Sequence, residues 1–101
     1  MFVLEAMNGP LDGKRWPFSS EITVGRDGAV AQAALPTDRF VSRHHAVVRS
    51  LDDGFELVDL GSSNGTHVDG VALAQPVRID VAQPFLVGRT LLCVLDVPDT
   101  D

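Results

Sequence analysis

Three short segments hold the residue types that do chemistry. Ser42-Arg43-His44-His45 lies twenty residues upstream of Ser62-Ser63-Asn64-Gly65-Thr66, and a Gly25-Arg26 pair precedes both. Each segment follows a turn or ends a strand-like run, and each offers donors suited to a compact oxyanion such as phosphate. Arginine fits this task because its planar fork donates two parallel hydrogen bonds to phosphate oxygens. Two guanidiniums, serine hydroxyls and the Asn64 amide form a donor set that can surround one anion. No nucleophile stands beside a base, so the set reads as a receptor and not as a catalyst.

Two chemical rivals fail on spacing. A hydrolase triad from Ser42, His45 and an aspartate lacks the Gly-x-Ser-x-Gly elbow. Three residues of separation on one short loop rarely aim a histidine at a serine. A metal site from His44, His45, His67 and Cys93 lacks zinc-type spacing, and adjacent histidines on extended backbone point apart. No catalytic residue, metal or cofactor is therefore expected.

Bulk composition sets the class. At 101 residues the chain is the size of one domain and can bury a core without disulfides or metal. Its apolar fraction of 45% and charged fraction of 22% are ordinary for a globular protein. The single cysteine, Cys93, sits in an apolar run and cannot form an internal disulfide. A reducing, cytoplasmic setting fits. No apolar stretch approaches the roughly 18 residues of a membrane span. Met1 leads directly into strand-like sequence, without a basic-then-apolar leader. The chain reads as cytosolic, or as the cytosolic part of something larger, without membrane insertion. The formal net charge of -6 argues against a general nucleic-acid binder, which needs a basic surface. It also poses a problem for an anion receptor, because the local site must overcome the field of the whole protein.

The elements that must position these residues read as strands. Apolar alternation or short apolar runs mark 2–7, 22–24, 45–50, 55–58, 77–81 and 91–97. The last is the longest and suits a mostly buried strand. Turn dipeptides separate them at short intervals, among them Asp12-Gly13, Asp27-Gly28, Asn64-Gly65 and Asp69-Gly70. Asp53-Gly54 is a hairpin signal. Many short strands with regular turns indicate an all-β sandwich or barrel. The alanine-rich stretch 29–35 is read as loop with at most one helical turn. Residues 1–97 form the expected domain and 98–101 a tail. Asp59 is expected to organise the turn that follows it.

Gly25-Arg26, Ser42-Arg43-His44-His45 and Ser63-Asn64-Gly65-Thr66, in this order and spacing, resemble the forkhead-associated (FHA) domain. Each motif alone is weak, and the ordered set is specific. The resemblance covers nearly the whole chain, including the late Gly88 before the last strand. It implies a sandwich of about eleven strands in two mostly antiparallel sheets. It also implies a phosphothreonine peptide bound across loops at one end. By matching position, Arg26 and Ser42 would contact the phosphate or its surroundings, Arg43 would add positive charge, and Ser63 would donate to the phosphate. Asn64 would hold the peptide main chain. His45 would brace the loop that carries Ser42. Gly25 and Gly65 would allow the backbone conformations of these loops, with Thr66 as further support. The segment 27–40 departs from the family pattern in its alanine-rich stretch, which bears on selectivity. His44 has no assigned role.

The expected partner is a threonine-phosphorylated protein or peptide, and family members are usually fused to other domains. The alternative from a different class is a phospho-independent interaction or scaffold domain on the same fold. Phosphothreonine carries about -1.5 to -2 charges at pH 7. Charge-assisted hydrogen bonds contribute about 1.5–3 kcal/mol each, and four or five exceed the roughly 8 kcal/mol of a micromolar complex. Desolvation and peptide ordering absorb the excess, so moderate affinity is expected. One buried methyl contributes only about 0.8 kcal/mol, so discrimination from phosphoserine needs packing and rotamer stiffness as well.

Overall fold

Apolar alternation builds the central hairpin. Strand β5 (Ala46–Leu51) pairs antiparallel with β6 (Gly54–Asp59), with Leu51 opposite Gly54. Ala46, Val48, Phe55 and Leu57 point into the core and are fully or nearly fully buried. The connecting loop is Asp52-Asp53, one residue earlier than the expected Asp53-Gly54 dipeptide. Gly54 instead opens β6 with φ 145, a region that glycine enters without strain.

The computed structural model describes residues 1–98. Besides the central hairpin, the strands are β1 (Phe2–Ala6), β2 (Arg15–Phe18), β3 (Glu21–Gly25), β4 (Ala33–Ala34), β7 (Thr66–Val68), β8 (Val71–Ala72), β9 (Val77–Ile79), β10 (Phe85–Val87) and β11 (Thr90–Asp96). They form a six-stranded sheet ordered β2-β1-β11-β10-β7-β8 and a five-stranded sheet ordered β4-β3-β5-β6-β9. Every pairing is antiparallel except β3 with β4. The expected all-β sandwich of two mostly antiparallel sheets is what the chain forms.

The two outer faces differ. On the five-stranded sheet, register places Glu21 opposite Arg49, Arg49 opposite Glu56, and Glu56 opposite Arg78. This row of alternating charge marks a solvent face, since opposite charges on facing positions are favourable and like charges are not. Between the sheets, Leu4, Ile22, Leu57, Leu92 and Val94 are at most 1% exposed. Truncating one such leucine to alanine removes about 2–5 kcal/mol. Phe2, Phe18 and Phe55 close one end, with the Phe2 and Phe55 rings edge-on at 5.0 Å. Ala46 faces Asp59 at the opposite end of the β5–β6 hairpin, where the motif loops emerge.

Five short strands escaped the periodicity reading, β4 among them within the stretch read as loop, and β9 is shorter than the run that marked it. β2, β7, β8 and β10 are too short or too mixed in polarity to show a period. The alanine-rich stretch is not merely loop. Ala33 and Ala34 pair in parallel with Val24 and Gly25, and the Thr23 and Gln32 side chains bond each other's backbone N–H. Small side chains let this stretch pack closely, and Ala31 and Ala33 are buried. β9 ends at Ile79 because Asp80 and Gln83 close a turn, which leaves Val81 exposed. Of the expected tail, Pro98 is exposed and outside any strand, and residues 99–101 lie outside the described residues.

Candidate anion-binding site

All three motifs come together at the end of the sandwich opposite the phenylalanine cluster. Gly25 ends β3, the segment 35–45 leads into β5, and the segment 60–65 joins β6 to β7. Backbone hydrogen bonds tie the first two. Arg26 N–H donates to the Ser42 carbonyl at 2.9 Å and Asp27 N–H to the Arg43 carbonyl at 3.4 Å. The Arg26 side chain adds a third tie, its Nε donating to the Val41 carbonyl at 3.0 Å.

His45 joins the second segment to the third. The ring is fully buried. Ser42 N–H donates to Nδ1 at 3.0 Å. Nδ1 therefore carries no proton, and the proton sits on Nε2, 3.0 Å from the Gly65 carbonyl that accepts it. Two further bonds reinforce this seam. Ser63 N–H donates to Ser42 Oγ at 3.0 Å, and Asn64 Nδ2 donates to the Phe40 carbonyl at 2.9 Å.

Asp59 shapes the third segment. One carboxylate oxygen accepts the Gly61 and Ser62 N–H groups, each at 3.0 Å. The other accepts the Ser62 and Thr66 hydroxyls at 2.6 and 2.8 Å. Burial pushes the Asp59 carboxyl up, but the hydrogen bonds from Ser62 and Thr66 outweigh it and hold its pKa below the ordinary aspartate value. Ser62 Oγ also accepts the Gly65 N–H at 2.9 Å. Ser62 is thus committed to the turn, whereas Ser63 leaves its hydroxyl to solvent.

The two glycines serve different ends. Gly65 has φ +82, a left-handed conformation that disfavours a side chain. Gly25 has no such conformation, contrary to expectation. Its requirement is space, because a Cβ there would collide with the Arg43 carbonyl carbon and oxygen.

These bonds leave a defined set of donors unspent. Arg26 keeps both Nη groups, and Ser42 keeps its hydroxyl proton. Ser63 keeps its hydroxyl, and the exposed Arg43 guanidinium has no partner among the described residues. Asn64 keeps its second amide N–H and its Oδ1. That pair can meet the C=O and N–H of an extended peptide. The arrangement can grip a dianion and hold a main chain beside it, and it offers no activated nucleophile. The pattern reading passed over Asp38. Its carboxylate accepts Phe40 N–H, Arg89 N–H and the Thr90 hydroxyl at 2.7–3.0 Å. It ties the second segment to the turn before β11. An Asp four residues before Ser42 was the available signal. Its partners, 51 and 52 residues away, were not visible.

Comparison with known proteins agrees with this fold. The family model described as FHA domain matches residues 22–88. The FHA domain-containing protein FhaB of Mycobacterium tuberculosis is 30% identical over 90 residues, covering 88% of this chain and 57% of that protein. The chain thus spans little more than half the length of that relative. The FHA domain of the CT664 protein from Chlamydia trachomatis superposes with a TM-score of 0.85 at 29% identity, covering 96% of this chain and 98% of that one. A structure solved in a study of phosphothreonine-dependent FHA domain interactions gives a TM-score of 0.79 at 28% identity, over 96% of this chain and 97% of that one. With its sandwich, its three stitched loops and a family match over residues 22–88, this chain belongs to the FHA domain family.

Proposed function

We propose that this domain recruits a threonine-phosphorylated protein, with Arg26, Ser42, Arg43 and Ser63 holding the phosphate and Asn64 the adjoining main chain. The FHA family is an interaction module and not an enzyme fold. The observation that carries the reading is the division of labour within each side chain. Arg26, Ser42 and Asn64 each spend part of their hydrogen-bonding capacity on a neighbouring loop and keep the rest, a proton in the case of the Ser42 hydroxyl, for a ligand. Such positioning removes rotamer entropy before binding, which favours affinity. The acidic net charge is offset locally by two guanidiniums that have no carboxylate partner among the described residues. A cytoplasmic setting accompanies the reading, since Cys93 is a buried free thiol. Action alongside other domains is consistent with the fraction of FhaB that the chain covers.

The test is an NMR titration of the labelled domain with a phosphothreonine peptide pool and, separately, the same pool unphosphorylated. Shifts at Arg26, Ser42, Arg43 and Asn64 with the phosphorylated pool alone are expected. Silence with both pools would overturn the reading in favour of a phospho-independent partner. One observation favours that alternative. Leu86, Leu91 and Leu95 lie on the outer face of the six-stranded sheet and are only half-buried.

A further inference from the structure

The chain holds two asparagines, Asn8 and Asn64, and both precede glycine. This pairing favours deamidation, because glycine leaves the next main-chain nitrogen unshielded by a side chain. The reaction needs no enzyme. The glycine nitrogen gives its proton to solvent base and attacks the asparagine Cγ. The N–Cγ bond forms, the Cγ–Nδ2 bond breaks, and ammonia leaves. Water then opens the cyclic imide to aspartate or to isoaspartate. Both asparagines are exposed to the water this takes. Their glycines differ.

The Gly65 nitrogen is locked. Its N–H donates to Ser62 Oγ at 2.9 Å. The Ser62 hydroxyl in turn donates to the Asp59 carboxylate at 2.6 Å, which makes Oγ a stronger acceptor. Removing the Gly65 proton would set a second negative charge two hydrogen bonds from that carboxylate, which disfavours the step. By contrast, Gly9 opens a single helical turn, Gly9–Leu11, and its N–H has no hydrogen-bond partner among the described residues. Both carboxamides are held. Asn64 Nδ2 sits on the Phe40 carbonyl at 2.9 Å, and the Asn8 amide bonds Arg89 and Leu91. The two sites therefore differ in the nucleophile, free at Gly9 and engaged at Gly65.

We propose that Asn64–Gly65 is a latent deamidation site, kept closed by Ser62, and that conversion there silences the anion-binding loops. Aspartate in place of Asn64 loses the amide donor and brings a negative charge into a loop that must receive an anion. Isoaspartate also lengthens the main chain by one methylene. The effect on binding rests on the phosphothreonine reading, whereas the chemistry at Asn64 does not. Any copy that opens locally at Ser62 is exposed to this one-way loss. Asn8 has no counterpart of Ser62, so it converts first in the folded chain.

The experiment incubates the intact chain in warm, mildly alkaline buffer, folded and in urea. Peptide mapping by mass spectrometry follows conversion at both asparagines, and hydrogen exchange is measured at the Gly9 and Gly65 amides of the folded chain. In urea the two sites should convert at similar rates. On folding, Asn64 should slow by about a hundredfold or more and Asn8 by much less. The slowing at Asn64 should match the exchange protection of the Gly65 N–H, since both reactions need the same opening. Ser62→Ala should speed conversion at Asn64 by about five- to tenfold, as expected for one lost hydrogen bond, and leave Asn8 unchanged. If that variant unfolds, Asn8 accelerates too, and the exchange comparison on the natural chain decides. Equal rates at the two sites in the folded chain overturn the proposal. An unprotected Gly65 N–H does so as well, as does a folded Ser62→Ala with no change at Asn64. Asn64→Asp should bind phosphothreonine peptide about tenfold or more weakly than the natural chain, and undiminished binding overturns the silencing. A natural chain that binds no phosphopeptide overturns the phosphothreonine reading, and the mapping still decides the chemistry at Asn64.

Discussion

Ser63 donates its backbone N–H to the Ser42 hydroxyl oxygen at 3.0 Å, across 21 residues of sequence. The bond sets the spacing of two loops and leaves the hydroxyl proton of Ser42 for a ligand. Ser42→Ala therefore removes two things. Phosphopeptide affinity should fall about ten- to a hundredfold, the worth of one charge-assisted hydrogen bond. The melting temperature should fall by about 4–8 °C, the equivalent of about 1 kcal/mol in a domain of this size. Calorimetry and thermal unfolding on one sample check both, and unchanged affinity would remove Ser42 from the site.

Arg26 is divided in a similar way, with Nε on the Val41 carbonyl and the Nη groups unspent. Arg26→Lys keeps the charge but cannot make both contacts in that geometry. It should bind phosphopeptide at least tenfold more weakly than the natural protein, and Arg26→Ala more weakly still. Titrating the two variants in parallel tests this. Equal loss in both would mean that fork geometry, and not charge, is what counts.

His45→Ala should act through order. It empties a fully buried position and strips the Ser42 N–H and the Gly65 carbonyl of their partner. A loss of about 2–4 kcal/mol is expected from the cavity and the orphaned groups. Denaturant unfolding gives the stability, and amide spectra should show the largest disturbance at Ser42 and Gly65.

Asp59 makes stability depend on pH. Its folded pKa is depressed, so its contribution is fully present above the unfolded value near pH 4 and is lost as the pH falls through the lower folded value. Asp59→Asn keeps the size but cannot accept all four hydrogen bonds. It should be less stable at pH 7, and the difference from the natural protein should shrink below about pH 4. Urea unfolding of both proteins between pH 7 and pH 2.5 measures this. A constant difference would mean that the charge contributes nothing.

Gly25→Ala and Gly65→Ala should differ in kind. At Gly65 the strain is conformational, about 1–2 kcal/mol, with no contact shorter than 3.4 Å. At Gly25 the methyl meets the Arg43 backbone, so the loop carrying Ser42 and Arg43 must move. The Gly25 variant should lose phosphopeptide binding outright, and the Gly65 variant should keep part of it. Affinity and melting temperature for both decide the order.

Much of the site was legible as residue types. Arg26, Ser42, His45, Asn64 and Gly65 stand in motifs whose donors and turn signals can be read without coordinates. The strands with clean alternation, such as 22–24 and 55–58, were legible for the same reason. Their side chains must face one core, and the pattern records that demand. β2, β4, β7, β8 and β10 were not, because they are too short or too mixed in polarity to show a period.

The sequence by itself determined the class of fold, the loops that bear the motifs and the kinds of donor they present. Only the tertiary structure decided which atom of each donor is spent and which is left. It committed Ser62 to Asp59 and spared Ser63, and at Gly25 it put a close backbone approach where a special backbone conformation was expected. It also brought the Asn64 amide onto the Phe40 carbonyl, 24 residues away, while Ser62 took the Gly65 N–H. The physical reason is that hydrogen bonds and collisions are settled at a few ångströms. Residues distant in sequence reach that range only when two sheets close on a shared core.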